Sequence, residues 1–251
     1  MKKNAGKRPQ NLVFGFHPVL EAIQAGNPVD KLYIKNGMSQ DRASRLRKAG
    51  KEAGIQIQVV PEEKLYRLCG DVNHQGVVAQ LAMVEYHDLE TLIMDIQTFD
   101  KVPLLVMLDG ITDVRNMGAI ARTAECMGAQ GLILPTEGSA PVSSTAIKTS
   151  AGALNYLPVC KEKNLVDSLM LMQAYGIKSV AATEKASEDI FELDLKQPTC
   201  IVMGSEDRGI SNTLLKRVDH LAKIPLQGNI ESLNVSVAAG MFLAEAMRQR
   251  K

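Results

Sequence analysis

The chain of 251 residues has no tryptophan, and aromatic residues make up only 4% of it, so a single-strand binder built on rows of stacking rings is not expected. No apolar run reaches the roughly 20 residues needed to span a bilayer. The basic start, MKKNAGKRPQ, has no apolar core behind it, so secretion is not indicated. Cys69, Cys126, Cys160 and Cys200 are far apart and form no metal-type pair; they read as buried, reduced thiols of a cytoplasmic protein. His17, His74, His87 and His220 are scattered outside the glycine-rich loops and read as structural. G-x-G-x-x-G after a strand, G-x-x-x-x-G-K-[ST] and G-x-S-x-G are all missing. A dinucleotide fold, a phosphate loop, a serine hydrolase and a metal centre therefore find no support.

Net charge is +1, but it is unevenly placed. Residues 1–52 hold eleven Lys or Arg against four acids, residues 53–100 hold two against eight, and residues 101–251 hold sixteen of each. A basic first segment on a near-neutral chain suggests a polyanion partner; a solvated helix face is the other reading.

Residues 1–10 read as a flexible basic tail. Residues 11–85 read as a small α/β domain, with an amphipathic helix ending at Gly26, a basic helix in QDRASRLRKAGKEAG and a last strand at GVVAQLAMVEY. Residues 86–102 read as a linker helix. From residue 103 to 251 strands and helices alternate, and LLVMLDG is a continuous apolar run typical of a buried parallel strand. The fold class is α/β, mostly parallel, with helices on both faces.

In such a sheet ligands bind at the carboxyl ends of strands, and three loops there are rich in glycine and polar residues. LDGITDVRNMGAIARTAE enters a helix near Gly118 and places Asn116 close to its start, with Arg122 about one further turn in. An Arg on a helix of small apolar residues needs an anion, either a ligand or an Asp of the preceding loop. VMGSEDRGIS brackets Ser205, Glu206, Asp207 and Arg208 between Gly204 and Gly209, where backbone can approach a ligand closely. IPLQGNIESLNVSVAAG reads as a strand, a break at Gly228 and a helix starting near Ser232. Ser232, Asn234 and Ser236 are more capping groups than one helix start requires, and the surplus suggests a ligand.

These three segments, in this order and spacing, resemble the three motifs of the SpoU/TrmH branch of the SPOUT methyltransferases. FGFHPVLEAI and HQGVVA resemble parts of the small RNA-binding domain found in the subgroup that methylates a guanosine of large-subunit ribosomal RNA. One departure is visible: the family often reads Asp-Pro before the first-motif Asn, whereas Val114 and Arg115 here separate Asp113 from Asn116.

The resemblance implies transfer of a methyl group from S-adenosylmethionine to a ribose 2′-hydroxyl. It also implies a C-terminal deep trefoil knot and a homodimer through the catalytic domain. Gly204, Ile224, Leu226, Leu233 and Asn234 occupy the positions that hold the cofactor; Arg122, Asn116, Glu206, Ser232 and Asn234 occupy those of the catalytic centre. A guanidinium stays protonated at ordinary pH, so a phosphate clamp is a physically easier role for Arg122 than a free base. No metal is called for, because a sulfonium is already a good leaving group. Arg42, Arg45, Arg47, Lys48 and Lys51, with Lys2, Lys3, Lys7 and Arg8 of the tail, are placed to contact RNA phosphates. Transfer RNA as substrate, a non-catalytic RNA-binding assembly factor and a nucleotide-dependent enzyme remain as rivals.

Overall fold

Leucine, valine and methionine fill LLVML, residues 104–108, without a polar break because both faces of that strand are covered. In the computed structural model, which describes residues 11–99, 101–230 and 232–251, the chain forms two compact units, 1–83 and 84–251. In the second unit Leu104, Val106 and Leu108 join one buried cluster with Ile120 and Phe242. Leu105 and Met107 join the other, with Ile93 and Leu169. Alternate side chains thus feed two cores on opposite faces of the sheet.

The first unit runs β1 (Leu12–Phe14), α1 (Phe16–Gln24), β2 (Val29–Lys35), α2 (Gln40–Glu52), β3 (Gln56–Val60), α3 (Glu62–Cys69) and β4 (Val77–Leu81). Its sheet has the order β1-β4-β2-β3; β4 is antiparallel to both neighbours, and β2 and β3 are parallel. The amphipathic α1 buries Phe16, Val19, Leu20 and Ile23. Only Ala43, Leu46 and Gly50 are buried on α2, and its charged residues face solvent.

The second unit contains β5 (Tyr86–His87), α4 (Leu89–Thr98), β6 (Leu104–Asp109), α5 (Val114–Cys126), β7 (Gly131–Pro135), α6 (Ser144–Thr149), β8 (Val159–Glu162), α7 (Leu165–Ala174), β9 (Lys178–Ala182), β10 (Glu188–Asp189), β11 (Thr199–Gly204), α8 (Asn212–Leu215), β12 (His220–Lys223) and α9 (Val235–Gln249). The eight strands lie in the order β10-β12-β9-β11-β6-β7-β8-β5, and every neighbouring pair is parallel.

Several boundaries differ from the sequence reading. Residues 86–102 are not a free linker: β5 pairs with β8, and Leu89, Leu92, Ile93 and Ile96 of α4 are buried in the second core. The apolar periodicity that marked a helix also gave it a face to bury. GVVAQLAMVEY is not one strand, because β4 ends at Leu81 and Tyr86 belongs to the other sheet. Ile224–Leu226 lie beyond β12, and α9 begins at Val235 rather than near Ser232. Cys69, Cys160 and Cys200 are buried, but Cys126 is exposed. Burial, with Glu162 and Asp88 nearby, pushes the Cys160 thiol up to about 12.

The end of α9 is locked by a polar network. Arg250 donates to the carbonyls of Leu195 (2.8 Å), Gln197 (2.7 Å), Pro103 (3.1 Å) and Val102 (3.1 Å). Glu245, only 6% exposed, accepts two hydrogen bonds from Arg248 and one from Gln249, each 2.7–2.8 Å. The Arg248 hydrogen bonds hold the Glu245 carboxyl at about 2, against the opposing effect of burial. A depressed carboxyl contributes stability that is complete above the ordinary value and lost as pH falls towards the folded value. Glu245→Gln is therefore expected to destabilise the protein at neutral pH, with the gap to wild type closing between about pH 4.5 and 2. Urea unfolding at a series of pH values checks this; a gap independent of pH would refute it.

Candidate active site

Three loops leave the carboxyl edge of the parallel sheet and meet. After β6 the chain turns at Gly110, with φ +72°, and Asp113 caps α5 by accepting from the Arg115 N–H at 2.8 Å. That cap orders the helix entry. Gly118 lets α6 pack closely on α5, since a Cβ there would lie 2.0 Å from Thr149 Oγ1. Asn116 is thereby fixed in the first turn of α5.

After β11, Ser205 and Gly209 exchange two backbone hydrogen bonds of 3.1 and 2.8 Å, closing SEDRG into a tight loop. A Cβ on Gly204 would lie 2.2 Å from the Gly209 carbonyl carbon and 2.3 Å from the Ile210 nitrogen, so only glycine admits this turn. Ser211 N–H donates to Asp109 Oδ2 at 2.7 Å, which ties the loop to the end of β6.

Asn234 explains part of the polar surplus at the start of α9. Its Oδ1 accepts from the N–H groups of Ser236 (2.9 Å) and Val237 (3.4 Å) and from the Ser236 hydroxyl (2.5 Å). Its Nδ2 donates to Glu206 Oε1 (2.6 Å) and to Asn116 Oδ1 (3.1 Å). Asn116 Nδ2 also donates to Glu206 Oε1, at 3.1 Å. One side chain thus caps a helix and closes a triangle joining all three loops.

Beside this triangle is a cavity of about 270 Å³. Gly204, Glu206, Ile224, Leu226, Ser232 and Leu233 all line it. Ser232 is therefore a wall residue, while the cap of α9 is Asn234. Gly228 is not a point of close approach, because a Cβ there would meet only the Ile230 nitrogen, at 4.0 Å. Arg122 is exposed on α5 and makes no hydrogen bond or ion pair with any described residue. An internal bridge to an Asp of the preceding loop is not formed. Thr183, just past β9, also lines the cavity and was not singled out from the sequence. Its signal was its place at the carboxyl end of a parallel strand.

The five basic residues of α2 are all exposed. The guanidinium groups of Arg42 and Arg45 sit 5.3 and 5.2 Å from the Phe16 ring centroid. Arg47, Lys48 and Lys51 line a separate groove with Met38 and Ser44. Lys2, Lys3, Lys7 and Arg8 lie outside the described residues.

Residues 103–244 match the model of the SpoU rRNA methylase family. The chain belongs to that family. Residues 12–87 match the model for RNA 2′-O ribose methyltransferase substrate binding. The chain is 35% identical over its whole length to an uncharacterised tRNA/rRNA methyltransferase of Synechocystis sp., and it spans 65% of that protein. It is 33% identical over 249 residues to the 23S rRNA (guanosine-2′-O-)-methyltransferase RlmB of Shewanella oneidensis, covering 97% of this chain and 99% of that one. Its fold matches the SpoU methyltransferase AviRb from Streptomyces viridochromogenes, solved in complex with the cofactor AdoMet. That match has a TM-score of 0.60 and 29% identity, covering 95% of this chain and 90% of the other.

The loop geometry makes a direct demand on Gly204. Gly204→Ala is expected to cost at least about 1–3 kcal/mol through overpacking against backbone, whereas Gly228→Ala has room and stays near wild type. Calorimetric melting of both variants checks this; equal midpoints would contradict the geometry.

Proposed function

We propose that this chain is an S-adenosylmethionine-dependent RNA methyltransferase acting on a ribose 2′-hydroxyl, with a guanosine of large-subunit ribosomal RNA as its target. The observation that carries the reading is the cavity at the carboxyl edge of the sheet, whose wall residue Glu206 belongs to the three-loop triangle. Leu226 and Leu233 line that cavity yet remain 41% and 38% exposed. Apolar side chains left open at a concave site suit a flat heteroaromatic ring such as adenine. Ser232 and Glu206 bring a hydroxyl and a carboxylate to the same wall, suited to the polar, cationic end of the cofactor. When bound, S-adenosylmethionine supplies a methyl group on a positively charged sulfur.

The remaining chemistry falls to the protein. Arg122 is a cation with no partner among the described residues, on the helix whose first turn holds Asn116, and a bidentate hold on an RNA phosphate would orient the neighbouring 2′-oxygen. Positioning of this kind can lower a barrier by about 7–11 kcal/mol when the reacting groups are well aligned. Asn116 uses both ends of its amide on Glu206 and Asn234, so it acts as a positioning residue for α5 and Arg122. The substrate-binding match over residues 12–87 supports an RNA substrate, and the near full-length similarity to a 23S rRNA enzyme supports ribosomal RNA.

The reading includes a homodimer through the catalytic unit and the trefoil knot of the family. Val237 and Met241 are 52% and 39% exposed and lie one turn apart on α9, beginning at the turn capped by Asn234. This apolar strip is a natural surface for a second copy.

The deciding experiment is methyl transfer from labelled S-adenosylmethionine to total RNA from cells lacking this protein, followed by mapping of the label. Label at a ribose of large-subunit RNA is expected. Label on transfer RNA would overturn the substrate, and absence of both label and cofactor binding would overturn the enzyme. Arg122→Ala should lose about 10²–10³-fold in rate, as removal of one transition-state donor does, while cofactor binding persists. Val237→Asp with Met241→Glu should sediment as a monomer with reduced activity; an unchanged sedimentation coefficient would show that the strip is not the interface.

A further inference from the structure

The first unit holds a second cavity, of about 390 Å³, at one end of its sheet. Its walls bring together Lys35 at the end of β2, Arg42 of α2, Tyr66 of α3 and the loop residues Asn73, His74 and Gln75. Three features mark this cavity.

The first is Tyr66. It lines the cavity and is 45% exposed, an aromatic ring offered to solvent in a chain with few aromatics. The ring is held edge-to-face by His74, with centroids 4.6 Å apart and planes at 67°.

The second is His74, which is 3% exposed. Its Nδ1 accepts from the Gly76 N–H at 3.0 Å, which places the proton of the neutral ring on Nε2. That Nε2 is buried and has no hydrogen-bond partner among the described residues. His74 is thus held by Gly76 and backs the Tyr66 ring, which fixes that wall of the cavity.

The third is Arg42. Lys35 and Glu62, both on the cavity wall, neutralise each other in a 2.6 Å ion pair. Arg42 has no carboxylate partner among the described residues, and Phe16 holds its guanidinium in place. The unpaired charge of the cavity is therefore positive. Asn73 and Gln75 add amide groups, although Gln75 Oε1 already accepts from the Phe16 N–H at 3.1 Å.

A ring face, an unpaired guanidinium and amide edges around one cavity match the parts of a nucleotide. We propose that this cavity receives one unstacked nucleotide of the RNA substrate, its base against Tyr66 and its phosphate on Arg42. The inference rests on the RNA reading above and specifies how the first unit holds that RNA. Base stacking tolerates any base, so the pocket selects an unpaired nucleotide more than a given sequence. Arg47, Lys48 and Lys51 line a different groove, so they add charge without forming this pocket.

The test uses the full chain, a short single-stranded oligoribonucleotide of mixed sequence and a blunt RNA duplex. Tyr66→Ala should weaken single-strand binding about tenfold, the effect of losing one stacked base, and Tyr66→Phe should restore it. Arg42→Ala should weaken binding more than Lys51→Ala does, and blunt duplex should be insensitive to Tyr66. Equal affinities for wild type and Tyr66→Ala, or a Tyr66→Phe variant as weak as Tyr66→Ala, would overturn the pocket. Methyl transfer by the wild type separates the two levels. Activity on RNA with a Tyr66-independent affinity sinks the pocket alone, whereas a wild type that neither binds nor methylates RNA sinks the reading beneath it as well.

Discussion

The eight strands of the larger sheet all run parallel, and the arrangement of the site depends on that constraint. Parallel strands place all their carboxyl ends on one edge, so the loops after β6, β11 and β12 emerge together although long stretches of chain separate them. A parallel sheet must also be covered on both faces, which is why its strands are apolar runs and its polar chemistry is confined to the loops. Gly204 and Gly118 are small for the same reason. Each sits where backbone or helix must come close if a loop is to reach its neighbours.

Glu206 then acts as the common acceptor. A single carboxylate oxygen receives the amides of Asn116, 90 residues away, and Asn234, 28 residues away. Asn234 joins that interaction to the start of α9 by capping it with its other amide atom. The far end of α9 is held by Arg250 against the carbonyls that precede β6 and β11. The helix is thus fixed at both termini by polar contacts, and the cavity wall it supplies with Val235 and Phe242 is held in place. Arg122 stands outside this network, exposed on α5.

The two units carry different features. The larger one has a cavity, a polar triangle and, in Arg122, a guanidinium with no partner among the described residues. The smaller one has exposed cations and a second cavity with an aromatic wall.

Much of this was legible in the sequence. Alternating apolar runs and helical periodicity determined the α/β class and the parallel sheet. The family resemblance named the residues expected at the site, and Gly204, Glu206, Ile224, Leu226, Ser232 and Leu233 line one cavity in the structure. Local pattern failed where a choice depended on distant partners. The apolar face of α4 looked the same whether it lay in a linker or against a sheet. Asn234 and Ser232 were equally good caps until Glu206 and Asn116 were brought within hydrogen-bonding distance of one of them. The sequence by itself determined which segments become strands, helices and polar loops, because burial and periodicity are local properties. Tertiary structure decided which polar group meets which, because hydrogen bonds depend on distances between residues far apart in the chain.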